Sequence, residues 1–167
     1  MDTETAMKTA AEVLQPWTAE TRSPEANRLD VYLAVKDLPA AAAALVEAGW
    51  GYLSALTGLD HPAPAPAEGE PAGEEQLEAL YHFCEGAAVV TLRVSVPVSH
   101  PVIPTVCGVI PTATLFEREL MEMFGFVVEG TPVTDRLVLP ENFPQGLYPL
   151  RKALTSEQIV AEIEKGA

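Results

Sequence analysis

Two neighbouring stretches decide the fold, Gln76–Cys84 (QLEALYHFC) and Ala87–Pro97 (AAVVTLRVSVP). The second is rich in valine and carries the strongest strand signal in the chain. Between them stands Glu85-Gly86, a dipeptide that is typical of a tight hairpin turn. The sequence therefore predicts a pair of adjacent strands joined by a short turn.

Upstream of this hairpin, the sequence predicts a strand, a helix and a second strand. Leu29–Val35 has apolar Leu29, Val31, Leu33 and Val35 at alternate positions, as a half-buried strand does. Leu38–Ala48 is rich in alanine and predicts a helix, and Gly49 stands where a C-terminal cap belongs. Trp50–Leu59 predicts the next strand. The segment His61–Glu75 is rich in Pro, Ala, Gly and Glu and predicts a surface excursion between strands.

Downstream of the hairpin, Thr112–Phe124 predicts a helix. The order strand, helix, strand, strand, strand, helix predicts an α+β fold with a mostly antiparallel sheet and helices on one face. A doubly wound nucleotide-binding fold is disfavoured, because it requires a glycine-rich loop after the first strand. The residues at that place are Lys-Asp-Leu-Pro, which cannot cradle phosphates.

The ends of the chain differ from this α+β domain, which we place at residues 28–126. Residues 1–27 predict an N-terminal helix, Thr3–Leu14, and a linker. Residues 127–154 contain four prolines and predict an extended docking arm, called the arm below. Residues 155–167 predict a short C-terminal helical tail with an apolar stripe.

Composition narrows the class of partner. The chain has 167 residues, 48% of them apolar, and a formal net charge of −14. A strongly acidic chain is poorly suited to nucleic acid or to an anionic membrane surface, since both repel it. A basic protein partner, or solubility alone, fits the charge better. The sequence has neither a signal peptide nor an apolar run of about 20 residues, so we expect no direct membrane insertion.

Cofactor-binding patterns are missing from the sequence. Its two cysteines are too few for an iron–sulfur cluster, and its three histidines have no metal-ligand spacing. No nucleophile elbow, phosphate-binding loop or CxxC motif is present. We therefore expect no cofactor, no metal and no catalytic residues of its own.

The helix at 112–124 carries three adjacent charges, Glu117, Arg118 and Glu119, among apolar residues. At about 100° per residue, Glu117 and Glu119 lie at opposite edges of the apolar arc, about 200° apart, so they cannot form an acid–base pair. Arg118 points away from that arc, with Glu122 one turn on. This outward face is either a surface awaiting a partner or an ordinary solvated face with local ion pairs. On the first interpretation Arg118 contributes to assembly, while Glu119 borders the core and accepts hydrogen bonds from the backbone or the arm.

The arm ends in two adjacent cations, Arg151 and Lys152. We expect the arm to order on a partner and these cations to meet acidic residues there. The alternative is that the pair folds back onto carboxylates of this chain.

Taken together, the region Thr114–Leu154 resembles the C-type subunit of respiratory complex I, the proton-pumping NADH:quinone oxidoreductase. Several motifs in the order of that family carry the resemblance: Glu117-Arg118-Glu119, Phe124-Gly125, Gly130-Thr131-Pro132, Arg136-Leu137 and Pro149-Leu150-Arg151-Lys152. Gly49–Asp60 resembles the second strand of the family and its Thr-x-x-Asp ending.

The resemblance implies a non-catalytic subunit without a cofactor, in a complex that as a whole is an oxidoreductase. Such a protein binds the hydrogenase-like D-type subunit near the quinone site and lies close to the B-type subunit, which carries the terminal iron–sulfur cluster. It sits on the cytoplasmic side of the membrane, attached through the complex. The partner-binding residues expected on this basis are Glu117, Arg118, Glu119, Glu122, Arg136, Arg151 and Lys152.

Two alternatives remain at this point. The ending Gly146–Lys152 (GLYPLRK) also resembles relatives in membrane-bound energy-converting hydrogenases and ferredoxin-dependent complexes. A stand-alone acidic adaptor, outside any redox complex, is the alternative from another class.

Overall fold

A five-stranded sheet forms the centre of the computed structural model, which describes residues 1–64 and 73–166. Its strands stand in the order β1-β2-β5-β4-β3, and only the β2–β5 pair is parallel. The predicted mostly antiparallel sheet is thereby confirmed. The strands are β1 (Thr18–Arg22), β2 (Arg28–Leu33), β3 (Tyr52–His61), β4 (Gln76–Glu85) and β5 (Ala88–Pro97).

Three helices pack on one face of this sheet, as predicted. The Trp50 indole N–H, just before β3, donates to the Ala6 carbonyl in the first helix at 2.8 Å. The third helix packs against β3, where Gly58 lies directly under Phe124. The three helices on the sheet are α1 (Thr3–Leu14), α2 (Leu38–Glu47) and α3 (Ala113–Phe124). A fourth helix, α4 (Ser156–Gly166), follows the arm. Two short parallel strands complete the fold, β6 (Val102–Pro104) and β7 (Val127–Glu129).

The two faces of the sheet differ in chemistry. Alternate residues of β4 and β5 that face the helices form a buried apolar core, whereas the opposite face carries an ionic network. There Arg93 donates to Asp30 and to Glu78, each at 2.7 Å. Partial burial acts to raise the pKa of Glu78, but hydrogen bonds from Arg93 and His61 outweigh it, so that this pKa lies below its usual value.

The N-terminal segment, predicted as a helix and linker, is part of the core. Ala6, Ala10 and Leu14 of α1 are fully buried against the sheet and α2. The supposed linker contains β1, which pairs with β2 at the edge of the sheet. The sequence TAETR gives no strand signal because its side chains are polar and mostly exposed.

The predicted surface excursion between β3 and β4 falls mainly on residues 65–72, which lie outside the described residues. On either side of it, β3 extends to His61 and β4 begins at Gln76. The other predicted helices and strands agree with the structure to within two residues at each end. In the part of the chain that the structure describes, no helix combines the length and apolarity needed to cross a membrane.

Candidate functional site

Glu117 lies inside the fold and not on the surface. Its side chain is fully buried, and its carboxyl group accepts hydrogen bonds from the Val106 N–H at 2.8 Å and the Thr105 hydroxyl at 2.7 Å. The Cys107 thiol lies 3.2 Å from the same group. The expectation that Glu117 contacts a partner is therefore wrong, because the loop 105–107 covers it.

Arg118 and Glu122 face away from the core, as predicted, but they hold the chain's own arm. The Arg118 guanidinium donates to the backbone carbonyls of Asp135, at 2.8 Å, and Arg136, at 2.7 Å. The Glu122 carboxylate accepts backbone N–H bonds from three consecutive residues, Leu137, Val138 and Leu139, the last at 2.8 Å. These contacts fix the arm alongside α3. The arm of the same chain therefore covers the face of α3 that was predicted to bind a partner.

Arg136 shapes the arm itself. Its guanidinium donates to the carbonyls of Pro140 and Phe143, both at 2.7 Å, and lies 6.0 Å from the centre of the Phe143 ring. Because prolines leave the arm with few backbone donors, the forked guanidinium of Arg136 supplies the hydrogen bonds that close its turn. The Arg136 guanidinium therefore bonds to backbone carbonyls within the arm.

The two cations at the end of the arm have different environments. The Arg151 guanidinium lies 3.2 Å from Asp60 and 3.5 Å from Glu75, whereas the Lys152 side chain is exposed. The backbone N–H of Lys152 donates to Asp60 at 2.7 Å. For Arg151 the folded-back alternative is correct, since it braces the arm against the end of β3.

Gly125 and Tyr148 form a close contact where α3 ends. Gly125 has a φ of +82° and caps the helix, and a side chain there would come within 2.6 Å of the Tyr148 ring. Nearby, the Leu150 N–H donates to the Met123 carbonyl at 3.1 Å. The arm therefore runs beside the C-terminal part of α3, with contacts from Arg118 to Gly125.

Glu119 has the role opposite to the one expected. Its side chain is exposed and makes no hydrogen bond to another described residue, although the sequence placed it beside the core as an acceptor. Leu150 of the arm lines the same groove as Glu119. Exposed large apolar side chains elsewhere on α3 and the arm include Leu115, Leu137 and Val138. Among the described residues of α3 and the arm, Glu119, Lys152 and these apolar side chains remain open to a partner.

The pKa of Glu122 provides a test of how the arm is held. Partial burial acts to raise it, but the three backbone N–H donors and the Arg118 charge outweigh burial and hold it below the ordinary value of 4.5. A carboxylate with a lowered pKa adds stability above its unfolded-state value, and this is lost as pH falls through the folded value.

We therefore expect the stability advantage of the natural protein over Glu122→Gln to be full near neutral pH and to shrink as pH falls below about 4.5. Melting temperatures of both proteins across pH 3–7 would measure it. Glu119→Gln is the matched control and should change the melting temperature little, because the Glu119 side chain is exposed. An advantage that stays constant down to pH 3 would show that Glu122 does not hold the arm as a carboxylate.

The contacts described above anchor the arm to the α+β domain. Among the described residues, no group of three His, Cys, Asp or Glu side chains converges as a metal site would require. His82 lies between the Thr91 and Thr57 hydroxyls, and burial lowers its pKa. Burial likewise raises the pKa of Cys107, so this thiol is poorly suited to act as a nucleophile.

Sequence reasoning did not predict that Asp60 and Thr105 anchor other segments of the chain. Asp60 lies near the end of β3, in the Thr57-x-x-Asp60 pattern, and this pattern was the one available signal. Thr105 stands between Pro104 and Val106, in a segment without helical or strand periodicity. Its contact with Glu117 depends on the pairing of β6 with β7, which only the folded chain reveals.

Known proteins resemble the part of the chain that contains α3 and the arm. The family model for the 30 Kd subunit of respiratory-chain NADH dehydrogenase matches residues 31–159, from β2 to α4. A chain in the structure of the membrane-bound sulfane sulfur reductase, an archaeal respiratory membrane complex, has a similar fold. The TM-score is 0.72 at 21% identity, with 97% of this chain and 92% of that one covered.

Two relatives align over shorter regions. The beta subunit of the membrane-bound hydrogenase of Pyrococcus furiosus is 46% identical over 71 residues, which are 42% of this chain and 39% of that protein. The C/D-type subunit of NADH-quinone oxidoreductase from Methylococcus capsulatus is 33% identical over 109 residues, which are 64% of this chain and 18% of that protein. The alignments thus span well under half of either relative. Because the family model covers most of the chain, including α3 and the arm, the chain belongs to the family of the 30 Kd subunit of respiratory-chain NADH dehydrogenase.

Proposed function

We propose that this chain is a non-catalytic, peripheral subunit of a membrane-attached NADH:quinone oxidoreductase. The observation that carries the proposal is the fixed arm. Glu122 holds the backbone of Leu137 and Val138, while their side chains stay 41% and 57% exposed. Exposed apolar side chains on a backbone that is already fixed suit binding, because less ordering entropy is lost there when a partner arrives.

We infer that the partners are the hydrogenase-like D-type subunit and the cluster-bearing B-type subunit, on the cytoplasmic side of the membrane. The name of the Methylococcus capsulatus relative supports a close association of the C and D types, since that one protein bears both letters. The exposed residues Glu119 and Lys152, with the exposed apolar side chains of α3 and the arm, are the contacts we assign to this interface. Arg118, Glu122, Arg136 and Arg151 contribute indirectly by holding the arm.

A second candidate is the equivalent subunit of an energy-converting hydrogenase. The 46% identity with the beta subunit of the membrane-bound hydrogenase favours it. The arm and its anchors serve the same scaffolding purpose in either complex. The two candidates differ in the electron donor and acceptor of their neighbours.

The experiment is affinity purification of the tagged full-length chain from detergent-solubilised native membranes, followed by mass spectrometry. We expect a D-type and a B-type subunit at equal stoichiometry with the tagged chain. NADH-binding subunits in the same preparation support the oxidoreductase, and hydrogenase subunits in their place support the second candidate. A chain recovered alone, by gentle detergents and by cross-linking alike, overturns both and leaves the acidic adaptor.

A further inference from the structure

A groove runs between α3 and the outer edge of β3, on the far side of α3 from Glu117. Its volume is about 230 Å³, and its apolar lining includes Leu56, Leu120, Phe124 and Leu150. Leu150 is 53% exposed although it belongs to the docked arm. The groove is therefore a largely apolar surface that the chain itself leaves open.

The floor of the groove is Gly58. A side chain at this position would come within 2.5 Å of the Phe124 ring and 2.8 Å of Leu120. Because glycine stands there, α3 lies directly on β3, and the groove follows the seam between them.

The wall of the groove towards solvent is a free strand edge. β3 is the last strand of the sheet, and among the described residues it pairs only with β4. Backbone N–H and C=O groups along such an edge are available to an added strand, which gains main-chain hydrogen bonds as it binds.

Charge defines what the groove accepts. Of the described residues that line it, Glu119 alone is charged, and it is exposed without a hydrogen-bond partner among them. A carboxylate at the rim of an apolar groove favours a cationic group of the ligand and repels an anionic one. The complementary ligand is thus an extended peptide with an aliphatic side chain and a nearby Lys or Arg.

We propose that an extended segment of a neighbouring protein in the complex adds to the free edge of β3. It places an aliphatic side chain against Leu120 and Leu150 and pairs a Lys or Arg with Glu119. This proposal rests on the proposed function, since the segment belongs to another protein of the same complex. Such an added strand commits the partner to one register along β3.

The test uses the full-length chain, expressed in its own complex with the photo-crosslinking residue p-benzoylphenylalanine in place of Thr57 at the strand edge. After irradiation of purified complex, mass spectrometry identifies the attached peptide. We expect one short segment of a D-type or B-type subunit that contains an aliphatic residue and a Lys or Arg. A cross-link to lipid, to a second copy of this chain, or to a segment without a cation overturns the proposal.

A charge exchange provides the second measurement. We expect Glu119→Lys to weaken retention of the chain in the complex at least about tenfold. Glu47→Lys, which changes an exposed carboxylate on α2 by the same charge, should have no effect. Changing the cross-linked Lys or Arg of the partner segment to Glu should restore retention of Glu119→Lys.

Failure of this proposal is distinguishable from failure of the proposed function. A chain that co-purifies with the complex but shows neither the Thr57 cross-link nor the Glu119 effect overturns only the groove. A chain that co-purifies with no other protein of the complex overturns the proposed function first. Because Glu119 is exposed, an unchanged melting temperature of Glu119→Lys confirms that the variant reports on binding.

Discussion

Replacing Glu117 with alanine should lower the free energy of unfolding by about 3 kcal/mol. The substitution removes the acceptor for the Val106 N–H and the Thr105 hydroxyl, and it leaves a cavity at a fully buried position. Buried donors without an acceptor lose their hydration on folding and receive nothing in return, which is costly. Urea denaturation of the isolated chain measures the loss.

Glu119→Ala is the control for this prediction. It removes the same chemical group from the same helix two residues away, at an exposed position. We expect its effect to stay within about 0.5 kcal/mol. Glu117→Gln should fall between the two, since an amide keeps one acceptor oxygen. Equal destabilisation by the two alanine variants would contradict the placement of Glu117 in the core.

Replacing Arg151 with glutamate should release the end of the arm. In the folded chain the Arg151 side chain is 14% exposed and that of Asp60 4%. The variant places a third carboxylate beside Asp60 and Glu75, and breaking a mostly buried pair in this way costs about 3 kcal/mol. The Leu150 and Lys152 amides, which donate to Met123 and Asp60, should then exchange their hydrogens roughly 100-fold faster.

Lys152→Glu tests whether this effect depends on Arg151 or on charge alone. It makes the same change of charge one residue later, where the side chain is exposed and only the backbone N–H is bonded to Asp60. Amide exchange should therefore stay near that of the natural protein. If Lys152→Glu loosens the arm as much as Arg151→Glu, general electrostatics rather than the Arg151–Asp60 brace holds it.

The main sheet and its helices follow from local sequence patterns. Helix α3 and the β4–β5 hairpin have strong periodicity, and Glu85-Gly86 marks the hairpin turn, so these elements were predicted correctly. Strands β1, β6 and β7 were not predicted. β1 is polar, β6 and β7 have three residues each, and their pairing joins parts of the chain that no local pattern connects.

The site was predicted less well than the fold, for a physical reason. A helical wheel ranks residues by their angle around the helix, but it cannot show what other segments cover. Loop 105–107 covers Glu117 and the arm covers Arg118, so two charges that the wheel places at an edge and on the outside both have partners within the chain. Glu119, which no described segment covers, is the one member of the triplet that stays open.

The parallel pairing of β2 with β5 constrains the order in which the sheet can form while the chain is being synthesised. Arg28 lies opposite Val89, so the inner edge of β2 finds its neighbour only after the hairpin that ends at Pro97 has been synthesised. Until then the nascent chain can pair β2 only with β1, and of the final sheet neighbours only α1 is available to cover the valine- and leucine-bearing face of this ribbon. We therefore expect the central sheet to form only after β5 has left the ribosome.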